Sequence, residues 1–157
     1  MAEVAVQNNP TEARIAALTT PKSGWSASAR DAALGRVRQM GLPTRRDEYW
    51  KYTRPDTLVS VDAIGAAVFE AQEAPIFEAV DRLQIVFVDG VFDADASDDL
   101  TMEGINIGRL ADSADIHWAS DLYGTLEADG HFVERPLAAL NTAFATDGIL
   151  IHVTGQA

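Results

Sequence analysis

The chain has 157 residues, 47% hydrophobic and 23% charged, the size and balance of a globular domain rather than a disordered segment. It has no cysteine, which excludes disulfides, thiolate zinc sites, a thiol nucleophile and cysteine-ligated iron–sulfur clusters among these residues. A net charge of −12 argues against general nucleic-acid binding, and no uncharged apolar run reaches the roughly 18 residues of a membrane helix.

The charge is divided along the chain. Residues 1–54 carry nine Lys/Arg against five acids, whereas residues 55–157 carry three against nineteen. Such a split suggests two differently used surfaces. The acidic part reads most simply as a solubilising surface. The first residues lack a basic run and include Glu3, so residues 1–9 read as a flexible tail and not as a secretory signal. A cytoplasmic location is the expectation.

A helical segment is expected over residues 10–55. Thr11 is positioned to cap a short helix running to about Leu18, with Glu12 in its first turn. After the loop residues 19–25, a longer helix starts at a Ser26 or Ser28 cap and runs to Met40. Ala29, Ala33, Val37 and Met40 form one apolar stripe along it. Gly41 is the expected residue after its end, and Leu42-Pro43 stops it. Thr44, with Asp47 three residues on, predicts another short helix to Thr53, ended by Arg54-Pro55.

Residues 56–82 read as a connector with some helix, from Phe69, Ile76, Phe77 and Val80, interrupted by Pro75. From Leu83 the period changes. Leu83–Val88 and Val91-Phe92 flank Asp89-Gly90, the strongest short hairpin signal. Gly104–Ile107 alternates as a third strand. Ser120 is placed to cap a helix to Glu127. Pro136 opens another helix, with Leu137, Leu140 and Phe144 on one face, which Asp147-Gly148 closes. Ile149–Val153 is a final strand. The fold class is therefore α+β: short N-terminal helices, then a small hairpin or sheet with helices over residues 83–157.

Catalytic and metal signals are weak. His117, His131 and His152 are too widely spaced for a helical metal pair. Gly24-Trp25-Ser26-Ala27-Ser28 breaks the nucleophile-elbow pattern at its fifth position and has no strand before it. There is no P-loop and no dinucleotide fingerprint. The acids Asp93, Asp95, Asp98 and Asp99 lack the glycine and distal glutamate of a calcium loop, and read as a solvated turn. A hydrolase using Asp98, Asp99 and Glu103 would need a second residue set to orient them, and none is visible. No catalytic, cofactor-binding or metal residue is therefore assigned. One aromatic-basic cluster stands out as a possible interaction patch: Arg45, Arg46, Trp50, Lys51 and Tyr52. The plainer reading is that Trp50 and Tyr52 pack their helix onto its neighbours.

Three stretches, in order, resemble the SufB/SufD family of iron–sulfur cluster assembly proteins. Gly41–Thr53, read GLPTRRDEYWKYT, is similar to the family's N-terminal signature of a helix ending in G-L-P, an Arg-rich turn and E-x-W-K-Y-T. Leu83–Phe92, followed by Ser97, Leu100 and Gly104–Ile107, resembles its first hairpin and continuation. Ala138–Gly148 and Ile149–Val153 resemble its aLNtAfa.DG helix and the strand leading into a β-helix. The likeness covers residues 25–153 and is lowest over 56–82. The SufD branch fits better than the SufB branch, because helix and hairpin lie so near the N-terminus.

The resemblance implies the N-terminal domain of a SufD-like component of the SufBCD scaffold, non-catalytic in isolation. Its partners would be SufB-like and SufC-like ATPase subunits, with neither nucleic acid nor membrane. It further implies a right-handed β-helix after residue 153, and places the cluster-handling Cys and His residues and the ATPase contact there or beyond. No cofactor is then expected on these 157 residues, although the full-length family handles iron–sulfur clusters. The alternatives are a free-standing acidic protein-interaction domain using the Arg45/Trp50/Tyr52 patch, and a SufB-like paralogue.

Overall fold

The computed structural model describes residues 9–21, 24–62, 77, 79–113, 117–128 and 133–155. Two units divide it, one formed by Met1–Ala63 with Ala114–Ala145 and the other by Ile64–Ser113 with Thr146–Ala157. Short helices make up the first and two small antiparallel sheets the second, so the fold class is α+β. The helical pattern expected from Phe69 and Ile76 lies outside the described residues.

In the helical unit, α1 spans Pro10–Ala16 and α2 spans Ala27–Met40. Asn9, not Thr11, caps α1: its side-chain oxygen accepts from the Thr11 N–H at 3.0 Å, and Pro10 occupies the first helical position. Thr11 is instead buried, and its hydroxyl accepts from the Leu42 N–H at 3.0 Å, tying α1 to the chain leaving α2. Gly41 ends α2 as expected, with φ of 74° and its N–H donating to Val37 O at 2.9 Å.

The stripe on α2 packs against α6, Pro136–Phe144. Ala33, Val37 and Ala139 are fully buried at this contact. Three small side chains, Ala33, Ala139 and Ala143, let the two helices approach closely, while Ile15 and Leu140 fill the adjoining core.

The expected helix from Ser120 to Glu127 is two short ones, α4 at His117–Ser120 and α5 at Thr125–Ala128. Gly124, at φ of 75°, breaks the run. Ser120 ends α4 rather than capping a longer helix. The intervening turn carries Tyr123 to α6, where its hydroxyl donates to Thr142 O at 2.8 Å. A one-turn α3, Asp56–Val59, follows Pro55. Among the described residues, no helix is long and apolar enough to cross a membrane.

In the sheet unit, β1 (Val86–Val88) and β2 (Val91–Asp93) form the expected hairpin, with Phe87 opposite Phe92. Asp89 at φ of 51° and Gly90 at 77° give both central turn residues the left-handed conformation that this tight turn requires. β3 (Ile105–Arg109) does not extend the hairpin but pairs with β4 (Ile149–Val153), from Ile105 opposite Val153 to Arg109 opposite Ile149. α6 ends at Phe144, which frees Asp147 for β3: its carboxylate takes the Arg109 guanidinium and the Ala111 N–H, the latter at 3.2 Å. The same guanidinium lies 4.6 Å from the centre of the Phe92 ring, linking the hairpin to β3.

Candidate functional site

The sequence-predicted patch sits on the segment between α2 and α3, and its backbone is a turn rather than a continuous helix. Thr44 and Asp47 close it reciprocally. The Thr44 N–H donates to one carboxylate oxygen of Asp47 at 2.7 Å, and its hydroxyl donates to the other at 3.2 Å. Only Glu48–Trp50 is helical, as a single 3₁₀ turn with Asp47 at its N-cap position. Pro43 and Pro55 bracket the segment, so its backbone has little room to propagate a longer helix.

This geometry separates the patch residues. Arg45, Arg46 and Lys51 are exposed, and Tyr52 is 92% exposed, with the Lys51 ammonium 5.5 Å from its ring centre. Tyr52 therefore does not pack its segment onto a neighbour. Trp50 is half-buried and faces a groove of about 550 Å³. Arg45, Arg46, Lys51 and Tyr52 do not line that groove.

The groove's apolar surface comes from Met40, Leu42, Pro43 and Trp50 on one side and from Val133 and Pro136 on the other. Its charged lining is wholly acidic: Asp47, Glu48 and Glu134. Tyr49, 73% exposed, stands at its edge. Sequence reading had no means of finding Val133, Glu134 and Pro136, because the α2–α6 packing brings them here from more than eighty residues away. Asp47 and Glu48 carried a signal, but one that also fits the ordinary placement of acids at a helix start.

Asp93, weighed for a calcium loop, and Asp98 and Asp99, weighed for calcium and for hydrolysis, are occupied by turn formation. Asp93 Oδ1 accepts from the N–H groups of Asp95 and Ala96, each at 3.1 Å. Asp98 accepts from the Gln84 N–H at 2.6 Å. Hydrogen bonds from Thr101 hold the exposed Asp99 carboxyl below its ordinary value. Among the described residues, no group of three His, Cys, Asp or Glu is placed to hold a metal ion. Ser26, read earlier as a cap or a failed nucleophile, is buried, and its Oγ accepts from Arg30 Nε at 2.9 Å.

No curated protein matches the chain. A family model described as SufBD protein N-terminal region matches residues 12–157, nearly the whole sequence, and the chain belongs to that family.

Proposed function

We propose that this chain acts as the N-terminal domain of a SufD-like component of the SufBCD iron–sulfur cluster assembly scaffold, and that it is non-catalytic by itself. The family match over residues 12–157 is the observation that carries this reading. The GLPTRRDEYWKYT stretch and the hairpin, which resemble the family's own, support it further.

On this reading the domain precedes a right-handed β-helix, and its role is protein contact within a cytoplasmic assembly of SufB-like and SufC-like subunits. The cluster chemistry falls to other parts of that assembly. The absence of cysteine supports this, since cluster irons take thiolate ligands almost always. Aspartate and glutamate, abundant here, are hard oxygen ligands and do not hold sulfide-bridged iron.

Anaerobic reconstitution of the 157-residue chain with iron and sulfide, followed by desalting, tests the assignment. A colourless product is expected, together with no retention of a SufC-like ATPase in a pull-down. A stable brown product with stoichiometric sulfide would overturn the ligand argument. A specific complex with the ATPase alone would overturn the placement of that contact elsewhere.

A further inference from the structure

We propose that the groove between the segment after α2 and the start of α6 binds a cationic segment of a partner protein, an arginine or lysine flanked by apolar residues. The argument begins with an imbalance. Residues 1–54 are net basic, yet every charged side chain lining the groove is a carboxylate: Asp47, Glu48 and Glu134. Arg45, Arg46 and Lys51, the cations of the same segment, lie outside its lining.

The three acids differ in how far they are committed. Asp47 is held by Thr44. Glu48 is exposed and meets Lys51 only at 3.9 Å, a contact that an incoming cation can displace at little cost. Glu134 makes no hydrogen bond or ion pair among the described residues, so its acceptor oxygens face solvent. Two carboxylates are thus open to a guanidinium or ammonium at the rim of an apolar floor.

The floor supplies the rest of the recognition. Trp50 and Tyr49 present aromatic surface, on which a cation stacks favourably, and Met40, Leu42 and Pro136 offer an aliphatic bed to the side-chain stem and its neighbours. About 550 Å³ holds one long side chain with part of a flanking residue. The rim residues Thr44, Asp47, Glu48 and Glu134 are exposed, so the groove opens to solvent and admits a segment of chain. An acidic partner would meet like charge at Asp47, Glu48 and Glu134, and the donor side chains in the lining, Thr44, Tyr49 and Trp50, are all neutral, with the Thr44 hydroxyl already used on Asp47.

The test uses a short fluorescently labelled leucine–arginine peptide and a leucine–glutamate peptide of equal length, titrated by anisotropy against the whole chain. Saturable binding of the arginine peptide alone is expected. Because the protein carries −12 overall, diffuse attraction must be separated from the groove. Glu48→Gln with Glu134→Gln should weaken binding about fivefold or more. Asp31→Asn with Asp95→Asn removes the same charge from exposed positions outside the groove and should leave affinity within about twofold. Tyr49→Ala, at an exposed position that leaves folding intact, should also weaken it. Equal losses in the two double variants, equal binding of the acidic peptide, or no saturable binding would each overturn the proposal.

Discussion

Arg30 donates from one terminal nitrogen to the carbonyl of Ala143 at 3.1 Å, joining two residues 113 positions apart inside the helical unit. Its other terminal nitrogen reaches Ala145 O at 2.9 Å, and its Nε reaches Ser26 Oγ. Ala143 is in the last turn of α6, whose final carbonyls lack intrahelical donors and carry the negative end of the helix dipole. A guanidinium fork matches two such carbonyls at once. The same group lies 5.4 Å from the ring centre of Tyr123. Burial pushes the Tyr123 phenol up and Arg30 works the other way, and the net rise keeps the hydroxyl a neutral donor to Thr142. Arg30 thus fastens α2, the 121–124 turn and the end of α6 together.

Arg30→Ala should therefore destabilise the chain by about 2–4 kcal/mol, since two buried acceptors and a part-buried one lose their donor together. Arg30→Lys should recover little of that, because a single ammonium cannot span Ser26, Ala143 and Ala145. Urea titration followed by far-ultraviolet circular dichroism measures both. A loss for Arg30→Ala within about 0.5 kcal/mol would show that these bonds are incidental to stability.

The α2–α6 contact depends on small side chains. Ala139 is fully buried opposite a helix that also buries Ala33 and Val37. Ala139→Leu inserts three heavy atoms where the backbones are close, and should cost about 1–3 kcal/mol through displaced side chains. Ile151→Thr in the sheet unit is the contrasting case. Ile151 is 56% exposed despite its place in an apolar strand, so the change should stay within about 0.5 kcal/mol.

Local signals were legible where a short stretch decides its own conformation. Asp89-Gly90 supplies both left-handed residues of its turn, Gly41 supplies the one that α2 needs, and the apolar run Ile149–Val153 marks β4. Arg30 was overlooked because arginine on a helix reads as solvent-facing, yet its spacing from Ala33 and Val37 places it on the buried face. Long-range partners were not legible. Nothing local says that Ile105–Arg109 pairs with β4 rather than with the hairpin, or that Glu134 comes to line the same groove as Glu48. The 44–53 segment fell between these cases. Thr44 was expected to cap a helix to Thr53, but it donates to the Asp47 carboxylate and closes a turn ahead of a single 3₁₀ turn, leaving Tyr49 and Tyr52 in solvent.

Gly124 carries two constraints, which a pair of variants separates. Its φ of 75° disfavours any side chain, and a Cβ there would lie 2.7 Å from Thr142 Cγ2. Gly124→Ala should cost more than the roughly 1–2 kcal/mol of a left-handed alanine alone. Adding Thr142→Ser removes the obstructing methyl and should recover the steric part, giving a coupling of at least about 0.5 kcal/mol in a double-mutant cycle. Strict additivity would mean that only the backbone matters.

Asp147 makes the stability of the sheet unit depend on acid. Its side chain is 7% exposed, and burial alone would raise its carboxyl. The hydrogen bonds from Arg109, the Gly148 N–H and the Ala111 N–H outweigh that and hold it below the ordinary carboxylate value. A carboxyl with a lowered folded value binds its proton more readily in the unfolded chain. Its contribution is therefore complete well above the unfolded value near 3.9 and is lost as pH falls through the lower folded one. Asp147→Asn removes the charge while keeping the side chain's size, and should destabilise by about 1–3 kcal/mol at pH 7, where Arg109 loses its buried partner. The gap between the two proteins should then narrow as urea titrations are repeated from pH 5 down to pH 2. Asp99, whose carboxyl is lowered by Thr101, is present in both and cancels in the comparison. A gap that stays constant across that range would show that Asp147 acts through shape rather than charge, and would remove the electrostatic account of how β3 is held to the start of β4.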